Sequence, residues 1–96
     1  MAAFFVATVK IKDQEKLQEY AGAVGPIIAS HGGEFVSRGK VETALSGSAA
    51  HQMAAIVKFP TMDALKGWYA SPEYKEIIPV REQGADVTIV AYEALA

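Results

Sequence analysis

The chain has 96 residues, a net charge of −2 and 51% apolar residues, a high apolar share for so short a chain; a domain of this size buries only a modest part of its surface unless a partner covers more. Both charge signs are interspersed with no basic run or stripe, which argues against nucleic-acid binding, where clustered cations neutralise phosphates; the absence of cysteine excludes disulfides, thiolate nucleophiles and thiolate metal sites. No apolar run approaches the roughly 20 residues of a membrane span, and the apolar start Met1–Val6 lacks a charged leader and soon meets Lys10 and Lys12, so it reads as a strand, the default location being the cytoplasm.

Residues 3–11 alternate as a strand, with Phe5, Ala7, Val9 and Ile11 on one face and Phe4, Val6, Thr8 and Lys10 on the other. Asp13 is a suitable N-cap for a helix running to about Ser30, with Leu17, Tyr20, Ala21, Val24 and Ile28 as its apolar stripe. Gly22, Gly25 and Pro26 weaken its middle, and a kink is expected at Pro26. His31-Gly32-Gly33 ends it, a glycine taking the left-handed cap conformation.

Residues 34–39 form a second strand, residues 40–50 a Ser/Gly/Ala-rich hairpin loop, and residues 51–59 a third strand stopped by Pro60. Thr61 caps a second helix with Leu65, Trp68 and Tyr69 on its apolar face. Ser71-Pro72 starts a third helical segment, with Tyr74, Ile77, Ile78 and Arg81 on one side, closing at Pro79 and Gly84. Residues 86–94 form the last strand, Val87, Ile89 and Ala91 opposite Thr88, Val90 and Tyr92.

The order β-α-β-β-α-β predicts a single α+β domain over residues 1–96 with a ferredoxin-like antiparallel sheet and its helices packed on one face. The other face should then be polar, yet at least three strands are apolar on both sides. A second copy of the same sheet is the simplest cover, so a homodimer closing a dimeric α+β barrel is expected.

The segment Phe59-Pro60-Thr61-Met62-Asp63-Ala64-Leu65-Lys66-Gly67-Trp68-Tyr69-Ala70-Ser71-Pro72-Glu73-Tyr74, followed by Arg81, resembles the family known as domain of unknown function 1330. Tyr20, Gly32-Gly33 and Arg38-Gly39 match as well, so that the resemblance spans roughly residues 3–92. It implies a dimeric α+β barrel and no particular reaction. The wider barrel group includes cofactor-independent monooxygenases, muconolactone-isomerase-like enzymes and haem-binding proteins, an analogy of fold alone.

Arg81 shares a helical face with apolar side chains, and a guanidinium cannot shed its charge. It is either a clamp for a small carboxylate or oxyanion, or one half of a salt bridge tying the helix to the sheet or to a partner subunit. Arg38 either faces the same cleft or makes surface ion pairs at the hairpin base. Tyr20, Trp68 and Tyr74, with Tyr69, form an aromatic group that serves as a pocket wall or as core. His31 is the leading general base, although a helix C-terminus stabilises imidazolium without any catalysis. No metal site or phosphate loop is evident, and no cofactor is expected. The residues therefore suggest a small cofactor-independent enzyme for a compact aromatic or carboxylate metabolite, with His31 and Arg81 catalytic and Tyr20, Arg38, Trp68, Tyr74 and Arg81 binding substrate; a non-catalytic metabolite-binding or structural homodimer is the alternative.

Overall fold

The computed structural model describes residues 2–95. Seven elements follow in the expected order: β1 (Ala3–Ile11), α1 (Gln14–Ser30), β2 (Glu34–Lys40), β3 (Met53–Phe59), α2 (Met62–Ala70), α3 (Pro72–Gly84) and β4 (Ala85–Glu93). The strands form one sheet in the order β2-β3-β1-β4 with every neighbouring pair antiparallel.

The caps form where the sequence puts them. Asp13 accepts from the backbone N–H groups of Glu15 and Lys16, Thr61 from that of Ala64, and Ser71 from that of Tyr74. These bonds satisfy donors that the first helical turn would otherwise leave free. Gly32, at φ +83°, makes the left-handed turn out of α1.

The prolines do not interrupt the helices. α1 passes through Pro26, and α3 runs on from Pro72 to Gly84 through Pro79. Pro26 and Gly22 are both exposed, so water can meet the Gly22 carbonyl that loses its helical donor. β3 begins two residues later than expected, at Met53. The Gln52 backbone still bonds to Val9 and Val41, and its amide side chain accepts from the Ile11 N–H at 2.9 Å, extending the contact one step beyond the ladder.

All three helices cover one face of the sheet. The core gathers Phe5 from β1, Val57 and Phe59 from β3, Val24 and Ile28 from α1, and Leu65, Trp68 and Tyr74 from α2 and α3. The other face carries Phe4, Val6, Ile56, Val90 and Tyr92, with the rings of Phe4 and Tyr92 stacked at 5.1 Å. Val90 and Tyr92 are each 44% exposed. No helix among the described residues is long and apolar enough to cross a membrane.

Two further details position the site. β2 bulges at Val36: Phe35 is paired with Val57 and Ser37 with Ile56, leaving one residue unmatched. The second is Gly84, whose carbonyl accepts from the N–H groups of Lys12 and Asp13, and whose Cα lies against the backbone of Leu17. That contact clamps the end of α3 to the start of α1.

Candidate functional site

α1 does not lie flat on the sheet. Between them is a cavity of about 280 Å³. Its floor includes Ala7, Ala55 and Ile89, and its roof Leu17, Ala21 and Val24. The room comes largely from the three alanines, whose short side chains meet none across the gap. This also explains why Leu17 and Ala21, on the stripe read as buried, are respectively half-buried and exposed. Polar groups on the wall are few: Gln14, Gln18, Tyr20 and Arg38.

Arg38 reaches this cavity because of the β2 bulge. Residues 35 and 38 of a regular strand point to opposite faces. The extra residue at Val36 restores both to the helix-covered face, and both line the cavity. The Arg38 guanidinium lies 5.1 Å from the Phe35 ring centroid, and both side chains are solvent-exposed. They form a rim that joins a cation to an aromatic face.

Tyr20 is the one phenol in the cavity lining. Its hydroxyl is 2.8 Å from that of Tyr74, and Arg81 donates from Nη1 to the Tyr74 hydroxyl at 2.9 Å. The same nitrogen donates to Tyr69 at 3.3 Å, and Nη2 to the Glu82 carboxylate at 2.9 Å. Arg81 is 8% exposed and Tyr74 fully buried. The Nε–H of Arg81 has no partner among the described residues. A charge is thus held in the interior by phenols and by one carboxylate at the surface, an arrangement that compensates for lost hydration.

The electrostatics follow from this packing. Burial raises Tyr20 and Tyr74 above the ordinary phenol value of 10.0. For Tyr74 its hydrogen bonds with Tyr20 and Arg81 and the Arg81 charge pull the other way and do not prevail. Burial disfavours the charge on Arg81, but its bonds to Tyr69, Glu82 and Tyr74 outweigh that and keep it protonated. The bond from Arg81 lowers Glu82. Near neutral pH Tyr20 and Tyr74 are therefore neutral phenols beside the Arg81 cation, able to donate hydrogen bonds.

The residues read from sequence divide into three groups. Tyr20, Tyr74 and Arg81 come together, with Arg81 lining neither the main cavity nor a second one of about 260 Å³ between α2 and β4. Arg38 stands at the cavity rim. Trp68 is fully buried, stacked on Phe5 at 4.9 Å and beside Tyr74 at 4.5 Å, and its indole N–H has no partner. It supports the cluster from the core and also borders the second cavity. His31 is the C-cap of α1, where its backbone N–H bonds to Ile28. It follows Tyr20 by eleven residues, about 16 Å along the helix, and lines neither cavity.

Tyr69, read from sequence as a member of the aromatic group and as part of the apolar face of α2, joins the cluster through its hydroxyl. It is 41% exposed and holds Arg81 through its hydroxyl. Its bond from Arg81 was not legible in the sequence. Gln14 and Gln18 carried no signal either, since exposed glutamines on a helix are ordinary.

The family model described as domain of unknown function (DUF1330) matches residues 2–95. The chain belongs to the DUF1330 family. No curated protein matches it. Among solved structures, this DUF1330 chain is similar to a protein of unknown function from Rhodopseudomonas palustris, at 19% identity and a TM-score of 0.84 over 99% of this chain and 83% of that one. It is also similar to SnoaB, a cofactor-independent oxygenase from Streptomyces nogalater, at 12% identity and a TM-score of 0.72, covering 99% and 94% of the two chains. A dimeric ferredoxin-like protein of unknown function from Thermobifida fusca aligns at 12% identity and a TM-score of 0.67, over 98% and 92%. The likeness establishes the ferredoxin-like α+β fold of this DUF1330 protein.

Proposed function

We propose that this DUF1330 protein is a homodimer that binds a compact, largely aromatic or apolar metabolite beneath α1 and acts on it without a cofactor. The observation that carries the reading is the cavity, about 280 Å³ with apolar walls and a few polar groups. That is near the lower end of small-molecule pockets and of their usual character. Arg38 at the rim offers a carboxylate a partner, and Arg81 stands behind the wall as a permanent cation that can favour negative charge developing inside. The likeness to a cofactor-independent oxygenase supports catalysis by analogy of fold. Pairing through the helix-free face would cover Phe4, Val6, Val90 and Tyr92, and related folds are described as dimeric.

The test is a thermal-shift screen of wild type and Ala21→Leu against small aromatic carboxylates, phenols and quinones. A ligand at a hundred times its dissociation constant adds about 2.7 kcal/mol, and each kcal/mol moves the midpoint of a domain this size by about 4–8 °C. One class should raise the wild-type midpoint and leave Ala21→Leu, with its cavity filled, unmoved. If no class binds, or if Ala21→Leu responds equally, the cavity is not the site.

A further inference from the structure

We propose that Tyr20 presents a free O–H to the cavity, so that the bound molecule carries an acceptor oxygen of carbonyl type. This deepens the reading of the cavity as a ligand site and rests on it.

The argument is an account of hydrogens. Tyr74 is fully buried, so its single O–H proton needs an acceptor inside the protein. Its oxygen already accepts from Arg81 Nη1 at 2.9 Å. The remaining partner of Tyr74 among the described residues is the Tyr20 hydroxyl at 2.8 Å. Two directions are open to that bond. If Tyr20 donated, the Tyr74 oxygen would accept twice and its own proton would be stranded in the core, at a cost of about 1–3 kcal/mol. If Tyr74 donates, every polar group of Tyr74 is satisfied. The direction is therefore Arg81 to Tyr74 to Tyr20. The Tyr20 proton is then the one left over, and Tyr20 is the member of the chain that lines the cavity.

A donor chain headed by a fixed cation polarises each link in the same sense. Arg81 cannot reverse the chain, since a guanidinium has donors and no acceptor. The wall near Tyr20 thus favours a ketone, aldehyde or quinone oxygen. A group that can only donate finds there just the Tyr20 oxygen, which already accepts from Tyr74 and is the poorer for it as an acceptor. Arg81 acts as a positioning residue through Tyr74, without touching the ligand. Both phenols are held protonated by burial, so that what Tyr20 offers the ligand is a neutral O–H.

The test uses two probes of nearly equal shape, acetophenone and ethylbenzene, which differ in one acceptor oxygen. Affinities come from calorimetry, and the carbonyl stretch of bound acetophenone from difference infrared spectra. Wild type is expected to bind acetophenone about tenfold more tightly than ethylbenzene, the value of one hydrogen bond in an apolar setting, with the carbonyl band moved to lower frequency. Tyr20→Phe should bind both probes equally, with an unchanged far-ultraviolet circular dichroism spectrum reporting an intact fold. Tyr74→Phe, which cuts Tyr20 from Arg81, should move the band part-way back toward its free position. Equal affinities in wild type, or a preference that survives Tyr20→Phe, overturn the donor assignment while the cavity stands. Failure of both probes to bind wild type overturns the cavity reading and this inference with it.

Discussion

Gly84 is the most economical test of how α1 and α3 are joined. A Cβ at this position would lie 2.6 Å from the Leu17 backbone nitrogen and 2.9 Å from Leu17 Cα and the Lys16 carbonyl carbon. Ordinary contact starts at 3.4 Å, and the atoms met are backbone, which cannot swing aside. Gly84→Ala must therefore push the helices apart by most of an ångström. Overpacking of this kind costs about 1–3 kcal/mol. Against the middle of that range, about 2 kcal/mol, alanine's better helix propensity returns up to about 1 kcal/mol, leaving a net loss of about 1–2 kcal/mol, or about 4–16 °C in the midpoint of a domain this size. Tyr20 lies one turn beyond Leu17, so the same displacement stretches its 2.8 Å bond to Tyr74. Thermal denaturation by circular dichroism measures the first effect, and the near-ultraviolet tyrosine bands the second. Gly67 is the internal control, since a Cβ there meets nothing within 4 Å. Gly67→Ala should raise the midpoint, because alanine in an open helix position gains about 0.5–1 kcal/mol over glycine. If Gly84→Ala melts with wild type, or if the two variants shift together, the close helix contact is not present.

Three further outcomes are expected. Trp68→Ala removes a fully buried indole stacked on Phe5 and should lower stability by about 3–5 kcal/mol; an unchanged urea midpoint would count against its burial. Tyr20 and Tyr74 have folded-state values raised above 10.0, so their contribution is fully present below that pH and is lost as pH climbs through and beyond it. Stability should fall above about pH 10, at up to about 1.4 kcal/mol per pH unit for each phenol. Urea midpoints in alkaline buffers read this slope, which should be shallower in Tyr20→Phe, and a flat profile would refute it. Val90→Glu places a carboxylate on the apolar helix-free face and should yield a monomer by light scattering at micromolar concentration. A wild-type monomer, or a variant that still pairs, would refute face-to-face dimerisation.

Much of the fold was legible in local chemistry. Alternation in residues 3–11 and 86–94, the caps Asp13, Thr61 and Ser71, and the glycines after His31 each act within a few residues of chain. Their order alone yields βαββαβ. The pairing of Tyr74 with Arg81 was also in reach, because seven residues are two helical turns. How the cost of a helical proline is met is not legible along the chain, because it depends on what surrounds the freed carbonyl, and solvent exposure is a property of the folded molecule.

Only the tertiary structure decided what the candidate site contains. The β2 bulge at Val36 turns Arg38 onto the face of Phe35, and no local pattern announces one unmatched residue. The 2.8 Å contact of Tyr20 with Tyr74 joins residues 54 apart in sequence and depends on Gly84 letting two helices meet. Arg81, which sequence offered as either a ligand clamp or a salt bridge, pairs with its neighbour Glu82 and is otherwise held by phenols, behind the cavity wall. Periodicity, spacing and capping are short-range and can be read along the chain. Which alanines leave a space, and which proton in a buried chain remains unclaimed, depend on distances between distant residues that exist only once the helices are packed on the sheet.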